Sequence, residues 1–181
     1  MWKAALGAAF AAILPVAASA FELSSPDIAP GAKIADEQVF AGFGCSGKNV
    51  SPALKWSGAP AGTKSFALMV YDPDAPTGSG FWHWVMFDIP ADATELPKGA
   101  GDAKAGTAPK GATQSRTDFG VPGYGGPCPP QGDAPHHYHF MLFATDAAKL
   151  GPDAETSAAV VGFNLHFHTL AKTELLGVYG R

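Results

Sequence analysis

Basic residues are few in this sequence and form no cluster. Lys and Arg number 12 against 16 Asp and Glu, charged side chains make up 15% of the chain, and the formal net charge is −4. Proteins that bind nucleic acids concentrate Lys and Arg on one face or along one helix. The composition therefore disfavours nucleic acid as a partner.

The sequence also lacks the short motifs that mark several enzyme classes. It contains no Gly-x-Ser-x-Gly turn to expose a serine nucleophile, no phosphate-binding loop of the Walker type and no dinucleotide-binding fingerprint. We therefore expect that the protein is not a conventional enzyme and that it carries no cofactor.

One long apolar run is present, and it lies at the N-terminus. Lys3 precedes about 13 mostly apolar residues, and Ala18-Ser19-Ala20 provides the small-x-small pattern of a signal-peptidase site. A membrane-spanning helix needs roughly 20 residues, which disfavours the alternative of an uncleaved anchor. We predict a signal peptide at residues 1–20, a single domain at residues 21–181 without a transmembrane segment, and a periplasmic or secreted location.

Glycine and proline are abundant, with 22 and 16 residues, and they leave little room for long helices. Apolar runs at residues 65–71, 81–89 and 137–144 predict buried strands, and the first two stop at prolines. Residues 153–162 and 169–176 are predicted to be helical. We expect a mainly β protein, an antiparallel β-sandwich with a few small peripheral helices.

A long segment without periodicity, residues 96–135, follows the second predicted strand. Loops of this length inside a domain are usually disordered or functional. Its second half, residues 120–130, combines prolines that fix the backbone with glycines that permit close approach, and Tyr124 and Cys128 offer anchors. We predict that this half forms the wall of a binding site, together with Trp84 or a neighbouring aromatic residue.

Polar side chains that could bind a ligand occur at three places. Asp72 ends the first predicted strand, although such a residue could simply cap a turn. His83 lies among aromatic residues on the second strand, where a buried structural histidine is the alternative. On the third strand, alternation puts His136, Tyr138 and Phe140 on one face.

A carboxylate, two imidazoles and a phenol form a set that suits anion binding. The imidazoles and the phenol can donate to phosphate or carboxylate oxygens, while Asp72 can fix and charge a histidine. The sequence therefore predicts a site for a small anionic ligand.

These residues lie in motifs that resemble the phosphatidylethanolamine-binding protein family, also called the Raf kinase inhibitor protein family, in its bacterial YbhB/YbcL-like branch. The matching segments are Asp72-Pro-Asp-Ala-Pro76, His83-Trp84, Gly125-Gly-Pro-Cys-Pro-Pro-x-Gly132, His136-x-Tyr138, Gly44-Cys45, Asn49-x-Ser51-Pro52 and Gly177-x-Tyr179-Gly180-Arg181. The resemblance covers essentially all of residues 21–181 and implies a large antiparallel β-sandwich.

The resemblance also implies a ligand pocket. The residues that correspond to the family's pocket are Asp72, His83, His136 and Tyr138, with Pro129 at the rim. Asp74 is expected to brace the loop after Asp72, and His137 stands where many relatives have Arg, which could change how the rim is braced.

The implied function is an exported protein that binds phosphate or a phospholipid headgroup. Inhibition or regulation of an envelope protein, and a homodimer, are further expectations. The alternative is a hydrolase of phosphorylated substrates in which His83 and Asp72 act as general base. His166 and His168 form a His-x-His pair, but we predict no metal site because no carboxylate stands close to them in the sequence.

The two cysteines, Cys45 and Cys128, lie in two Gly-rich loops of a chain that we expect to be exported. Disulfides form and persist in oxidising compartments. We therefore predict a Cys45–Cys128 disulfide, with two free buried thiols as the alternative.

Export predicts the mature N-terminus. Cleavage after Ala20 should leave Phe21 as the first residue, because the small side chains at residues 18 and 20 suit signal peptidase. N-terminal sequencing of protein from the cell envelope will check this, and a chain that still begins with Met1 there would contradict it.

Overall fold

Apolar segments bounded by Pro and Gly form the strands of this protein, whose computed structural model describes residues 20–181. Almost all of the predicted signal peptide lies outside the described residues. The elements are β1 (Glu22–Ser24), β2 (Ala41–Gly42), β3 (Cys45–Ser46), β4 (Leu54–Ser57), β5 (Ser65–Asp72), β6 (Phe81–Pro90), β7 (Glu95–Leu96), β8 (Thr113–Gln114), β9 (His136–Thr145), α1 (Ala158–His168) and β10 (Thr169–Tyr179). The three predicted strands are thus present as β5, β6 and β9, each slightly longer than predicted.

The strands form two larger sheets and a short hairpin. A five-stranded sheet has the order β10-β9-β5-β6-β8, a three-stranded sheet has the order β1-β4-β7, and β2 pairs with β3. Neighbouring strands are antiparallel throughout these sheets. The prediction of a mainly β, antiparallel fold is confirmed.

Both faces of the five-stranded sheet are buried, which explains the nearly continuous apolar runs of β5 and β6. On β5, even-numbered residues such as Leu68 face the three-stranded sheet and share a core with Trp56. Odd-numbered residues such as Met69 face the other way and pack with Val161 of α1. The period of two along a strand therefore divides the interior into two apolar clusters.

The helix predictions need correction. The described residues contain one α-helix, which begins at Ala158 and not at residue 153, because residues 153–156 form a turn in which the Asp153 carboxylate accepts from the Glu155 N–H and the Thr156 hydroxyl. The helix predicted at residues 169–176 is wrong. That segment lies in β10 and pairs with β9 along its length, so its backbone hydrogen bonds are made in the sheet.

Among residues 20–181, no helix is both long enough and apolar enough to cross a membrane.

The predicted disulfide is present. Cys45 and Cys128 are bonded across a sequence separation of 83 residues, with their Cα atoms 6.0 Å apart. The bond joins β3 to the segment 120–130. Two regions that are distant in sequence are thus held together covalently.

Removal of this disulfide should lower the free energy of unfolding by about 4 kcal/mol or less, because a cross-link over so long a loop restricts the unfolded chain. The test is urea denaturation of the Cys45→Ser/Cys128→Ser variant beside the oxidised and reduced wild-type protein. Reduced wild type should match the variant. Equal stability of oxidised wild type and the variant would contradict the expected contribution.

Candidate functional site

Three adjacent strands bring the polar candidates to one end of the five-stranded sheet. Asp72 is the last residue of β5, His83 is near the start of β6, and His136 and Tyr138 are at the start of β9. Because β6 and β9 flank β5, their ends meet around one cavity of about 140 Å³. All four side chains line it, and so does Pro129.

A β-bulge explains how His83 reaches this cavity. Along the pairing of β5 with β6, Val70 lies opposite Trp84 and Tyr71 lies opposite Trp82, so His83 is the extra residue. Simple alternation would place His83 on the opposite face from Trp84. A bulge re-aims one side chain, and here it turns His83 to the face that carries the cavity.

The aromatic wall of the cavity is formed by phenylalanines and not by Trp84. Trp84 is fully buried, and its indole N–H donates to the Gln114 side chain. Phe81 and Phe119 line the cavity instead, with ring centroids 4.9 Å apart. The sequence predicted that Trp84 or a neighbouring aromatic residue would line the site, and the residue that does so is Phe81.

His83 is buried with only 4% of its surface exposed. Its Nδ1 lies 2.7 Å from the Gly125 carbonyl oxygen, and since a carbonyl only accepts, Nδ1 carries the hydrogen. Burial lowers the pKa of His83, which favours the neutral ring. Nε2 then holds a lone pair, so the expectation that both imidazoles donate to an anion needs correction for His83.

Asp72 and His136 form a buried pair. Asp72 Oδ2 accepts from His136 Nδ1 at 2.8 Å, and Asp72 Oδ1 accepts from the Asp74 backbone N–H at 2.9 Å. Asp133 Oδ2 lies 3.6 Å from His136 Nε2 on the other side of the ring. Asp72 therefore fixes Nδ1 as a hydrogen-bearing nitrogen of His136, which corresponds to the tautomer control that the sequence suggested.

Tyr138 presents a hydroxyl group without a partner. The side chain is 1% exposed, and among the described residues its hydroxyl makes no hydrogen bond of ordinary geometry. Burial, followed by the nearby Asp72 charge, raises the pKa of Tyr138, so its hydroxyl keeps its proton. The Asp72 carboxylate lies close to this hydroxyl, but no hydrogen bond of ordinary geometry joins them, so the buried donor is available to a ligand oxygen.

Segment 120–130 is held in place by Asn49, whose role the sequence did not reveal. The Asn49 side chain donates to the Tyr124 carbonyl oxygen at 3.1 Å and accepts from the Gly126 N–H at 2.8 Å. A β carbon on Gly126 would overlap the Gln38 carbonyl oxygen, so this close approach requires glycine. The segment is thus ordered, and its residues 128–130 line the cavity.

Arg181 also braces the rim, although the sequence marked it only as part of the C-terminal motif. Its Nε donates to the Pro129 carbonyl oxygen at 2.7 Å, and its Nη1 donates to the Gly44 carbonyl oxygen at 3.0 Å. The guanidinium therefore ties segment 120–130 to the β2–β3 hairpin beside the disulfide.

Phe43 is a rim residue that sequence reasoning missed. It is 73% exposed, lies at the cavity and stacks on Phe119 with ring centroids 5.9 Å apart. Its φ of 51° is uncommon for a bulky residue and marks a strained hairpin tip. Nothing in the hydrophobic pattern signals this, and the flanking Gly42 and Gly44 indicate only a turn.

His137 braces the loop that follows Asp72. Its backbone N–H and its Nδ1 both donate to Asp74 Oδ2 at 2.8 Å, and the side-chain hydrogen bond holds the pKa of Asp74 below its ordinary value. Asp74 therefore links the end of β5 to the start of β9 through His137.

The His-x-His pair lies apart from the cavity on α1. His168 Nδ1 is 2.9 Å from Asp146 Oδ1, so a carboxylate does stand close, which corrects the sequence argument. His166 packs against the ring of Phe167. Across residues 20–181, no group of three or more His, Cys, Asp or Glu side chains is placed to hold a metal ion.

Comparison with known proteins places the chain among proteins of the same fold. Residues 24–180 match the family described as Phosphatidylethanolamine-binding protein. YbcL of Escherichia coli K12 is 51% identical over 162 residues, covering 90% of this chain and 88% of YbcL. YbhB of the same organism is 47% identical over 158 residues, covering 87% of this chain and 99% of YbhB. The crystal structure of YbcL, described as a new member of the mammalian PEBP family, gives a TM-score of 0.87 at 50% identity, covering 89% of this chain and 98% of that chain.

Burial of neutral His83 should make the protein less stable in mild acid. Its folded pKa lies below the unfolded value of about 6.5, so its contribution is complete above pH 6.5 and is lost as pH falls towards the folded pKa. Urea denaturation at pH 7.5 and 5.5 should therefore show a smaller loss for His83→Gln than for wild type. The exposed His166→Gln is the control and should behave as wild type, whereas identical losses in wild type and His83→Gln would refute the assignment.

Proposed function

This chain belongs to the phosphatidylethanolamine-binding protein family, and on that basis we propose that it is an exported protein that binds a small anion at the end of β5. The ligands that we propose are phosphate and phosphate-containing headgroups. The observation that carries the proposal is the buried Tyr138 hydroxyl, which lines the cavity and has no hydrogen-bond partner among the described residues.

An unsatisfied buried hydroxyl is costly. Leaving such a donor without an acceptor costs about 1–3 kcal/mol, and a ligand oxygen at the cavity would remove that penalty. His136 supports the same ligand, because its Nδ1 is held by Asp72 and its Nε2 edge faces away from that bond. The Tyr138 hydroxyl can thus donate to an anion, and His136 can donate beside it through Nε2 when both of its ring nitrogens carry hydrogen.

Export is supported by two independent features. The N-terminal charge, apolar run and small-x-small site follow the pattern of a signal peptide. Both cysteines of the chain are joined in one disulfide, and structural disulfides are rare in reducing compartments. Inhibition or regulation of an envelope protein and formation of a homodimer stay predictions.

The same residues support binding better than catalysis. Cys128, the one sulfur nucleophile beside the cavity in the described chain, is bonded to Cys45. A hydrolase is the second candidate, favoured by the lone pair on His83 Nε2, which could act as a general base. Incubation with p-nitrophenyl phosphate distinguishes the two, since turnover that His83→Gln abolishes would support the hydrolase.

Removal of the Tyr138 hydroxyl should weaken anion binding. We expect Tyr138→Phe to lose about 1–3 kcal/mol of binding free energy for phosphate and phosphoethanolamine, because only a hydrogen-bond donor is removed. Tyr71→Phe is the matched control, since the Tyr71 hydroxyl donates to the Ser79 carbonyl oxygen outside the cavity. Calorimetry with phosphate, phosphoethanolamine and acetate is the measurement, with circular dichroism to check the fold.

His136→Ala should weaken the same ligands by a similar amount. If wild type, Tyr138→Phe and His136→Ala bind these anions equally, the two residues are structural and the proposed function is wrong.

A further inference from the structure

The cavity presents hydrogen-bond acceptors as well as donors. His83 Nδ1 donates to the Gly125 carbonyl oxygen, so the neutral ring has a lone pair on Nε2, and His83 lines the cavity. The Asp72 carboxylate lines the same cavity. The donors are the Tyr138 hydroxyl and, when both of its ring nitrogens carry hydrogen, His136 through Nε2.

The charges around the cavity do not favour a second negative charge on the ligand. Within the described chain, neither Lys nor Arg lines the cavity, and the Arg181 guanidinium is bound to backbone carbonyl oxygens at the rim. Asp72 contributes a carboxylate directly. The ionisable groups around the donors and acceptors are Asp72, Asp74, Asp118, Asp133, His136, His137 and Tyr138.

From this arrangement we propose that the site selects oxyanions that carry a proton of their own. The favoured class comprises the monoanions of phosphoric acid (dihydrogen phosphate) and of phosphomonoesters, and the disfavoured class comprises sulfate and simple phosphodiesters. This inference rests on the proposed function, because it specifies which anions the same cavity binds.

In the bound state the ligand O–H donates to His83 Nε2, and an unprotonated oxygen accepts from the Tyr138 hydroxyl. His136 adds a second donor through Nε2 when both of its ring nitrogens carry hydrogen. Asp72 is less available to the ligand, since its two oxygens already accept from His136 and Asp74. The negative charge of Asp72 instead weakens binding of a dianion. No covalent bond forms or breaks, and the ligand keeps its proton.

Sulfate has the shape of phosphate but brings no proton near neutral pH. One of its oxygens would face the His83 lone pair, and the buried nitrogen would stay unsatisfied. A site built to bind a hydroxyl rejects an analogue that lacks it because its own polar group is left unpaired. We expect phosphate to bind about 10- to 100-fold more tightly than sulfate, the range that one unsatisfied buried group produces.

The first experiment uses the wild-type mature protein and four probes. Calorimetry at pH 6, 7 and 8 compares inorganic phosphate with sulfate, and methyl phosphate with dimethyl phosphate. Affinity for methyl phosphate should fall as pH rises, because its monoanion loses its only proton near pH 6–7. Affinity for inorganic phosphate should fall less, because its dianion keeps one proton but carries a second charge that Asp72 disfavours. Sulfate keeps the same charge over this range, so its pH profile reports changes in the protein alone.

A second experiment removes the acceptor. In His83→Gln the side-chain amide can turn to present either a donor or an acceptor, so the preference for phosphate over sulfate should shrink to about threefold or less. His166→Gln, on the exposed face of α1, is the matched control and should keep the wild-type preference. If His83→Gln does not fold, the wild-type comparison of ligands decides the question.

The outcomes separate this inference from the proposed function. Tighter binding of phosphate than of sulfate, with a ratio of affinities that decreases as pH rises, supports both. Equal affinity for phosphate and sulfate at all three pH values overturns the selectivity and leaves anion binding intact. Absence of binding for all four probes overturns both.

Discussion

The central position of β5 is the constraint on which the other features depend. Its backbone pairs with β6 on one side and β9 on the other, and its two faces contribute to both apolar clusters. The strand must end at Asp72 because Pro73 has no N–H to donate to a ladder. A carboxylate is therefore fixed between the ends of two flanking strands, and the cavity forms there.

Three departures from the local rules of protein structure lie beside the cavity, and others lie elsewhere, at Trp56, Ser115 and Asp88. His83 interrupts a strand register, Tyr138 buries a hydroxyl without a partner, and Phe43 has a positive φ. Each costs stability, and each is maintained because the surrounding sheet and hairpin hold it. Such departures are expected to cluster where a protein functions, since a sequence selected for folding alone would remove them.

Much of the fold and the main polar residues could be predicted from the sequence, and the reasons are local. The runs that form β5, β6 and β9 are apolar and bounded by breakers, and the candidate residues of the site lie at their ends. The strand at residues 169–176 depends instead on tertiary contacts. Residues 169–176 have no periodicity that excludes a helix, and only the free edge of β9 makes them a strand.

The site details that escaped prediction have the same origin. The direction of His83 depends on a register shift between two strands, and its tautomer depends on a carbonyl 42 residues away in the chain. Arg181 reaches the rim from the last position of the sequence, and no short-range pattern encodes that contact. Motif spacing identifies which residues matter, but not which hydrogen-bonding role each plays.

Three restraints from distant parts of the chain converge on segment 120–130. The disulfide reaches it from β3, the Asn49 amide holds its middle, and Arg181 holds the Pro129 carbonyl. A free loop of this length would lose conformational entropy on closing over a ligand, which would weaken binding. Here the wall is ordered in the folded protein already. A small ion with few contacts can then be bound by a handful of hydrogen bonds, because none of their free energy is needed to order the loop.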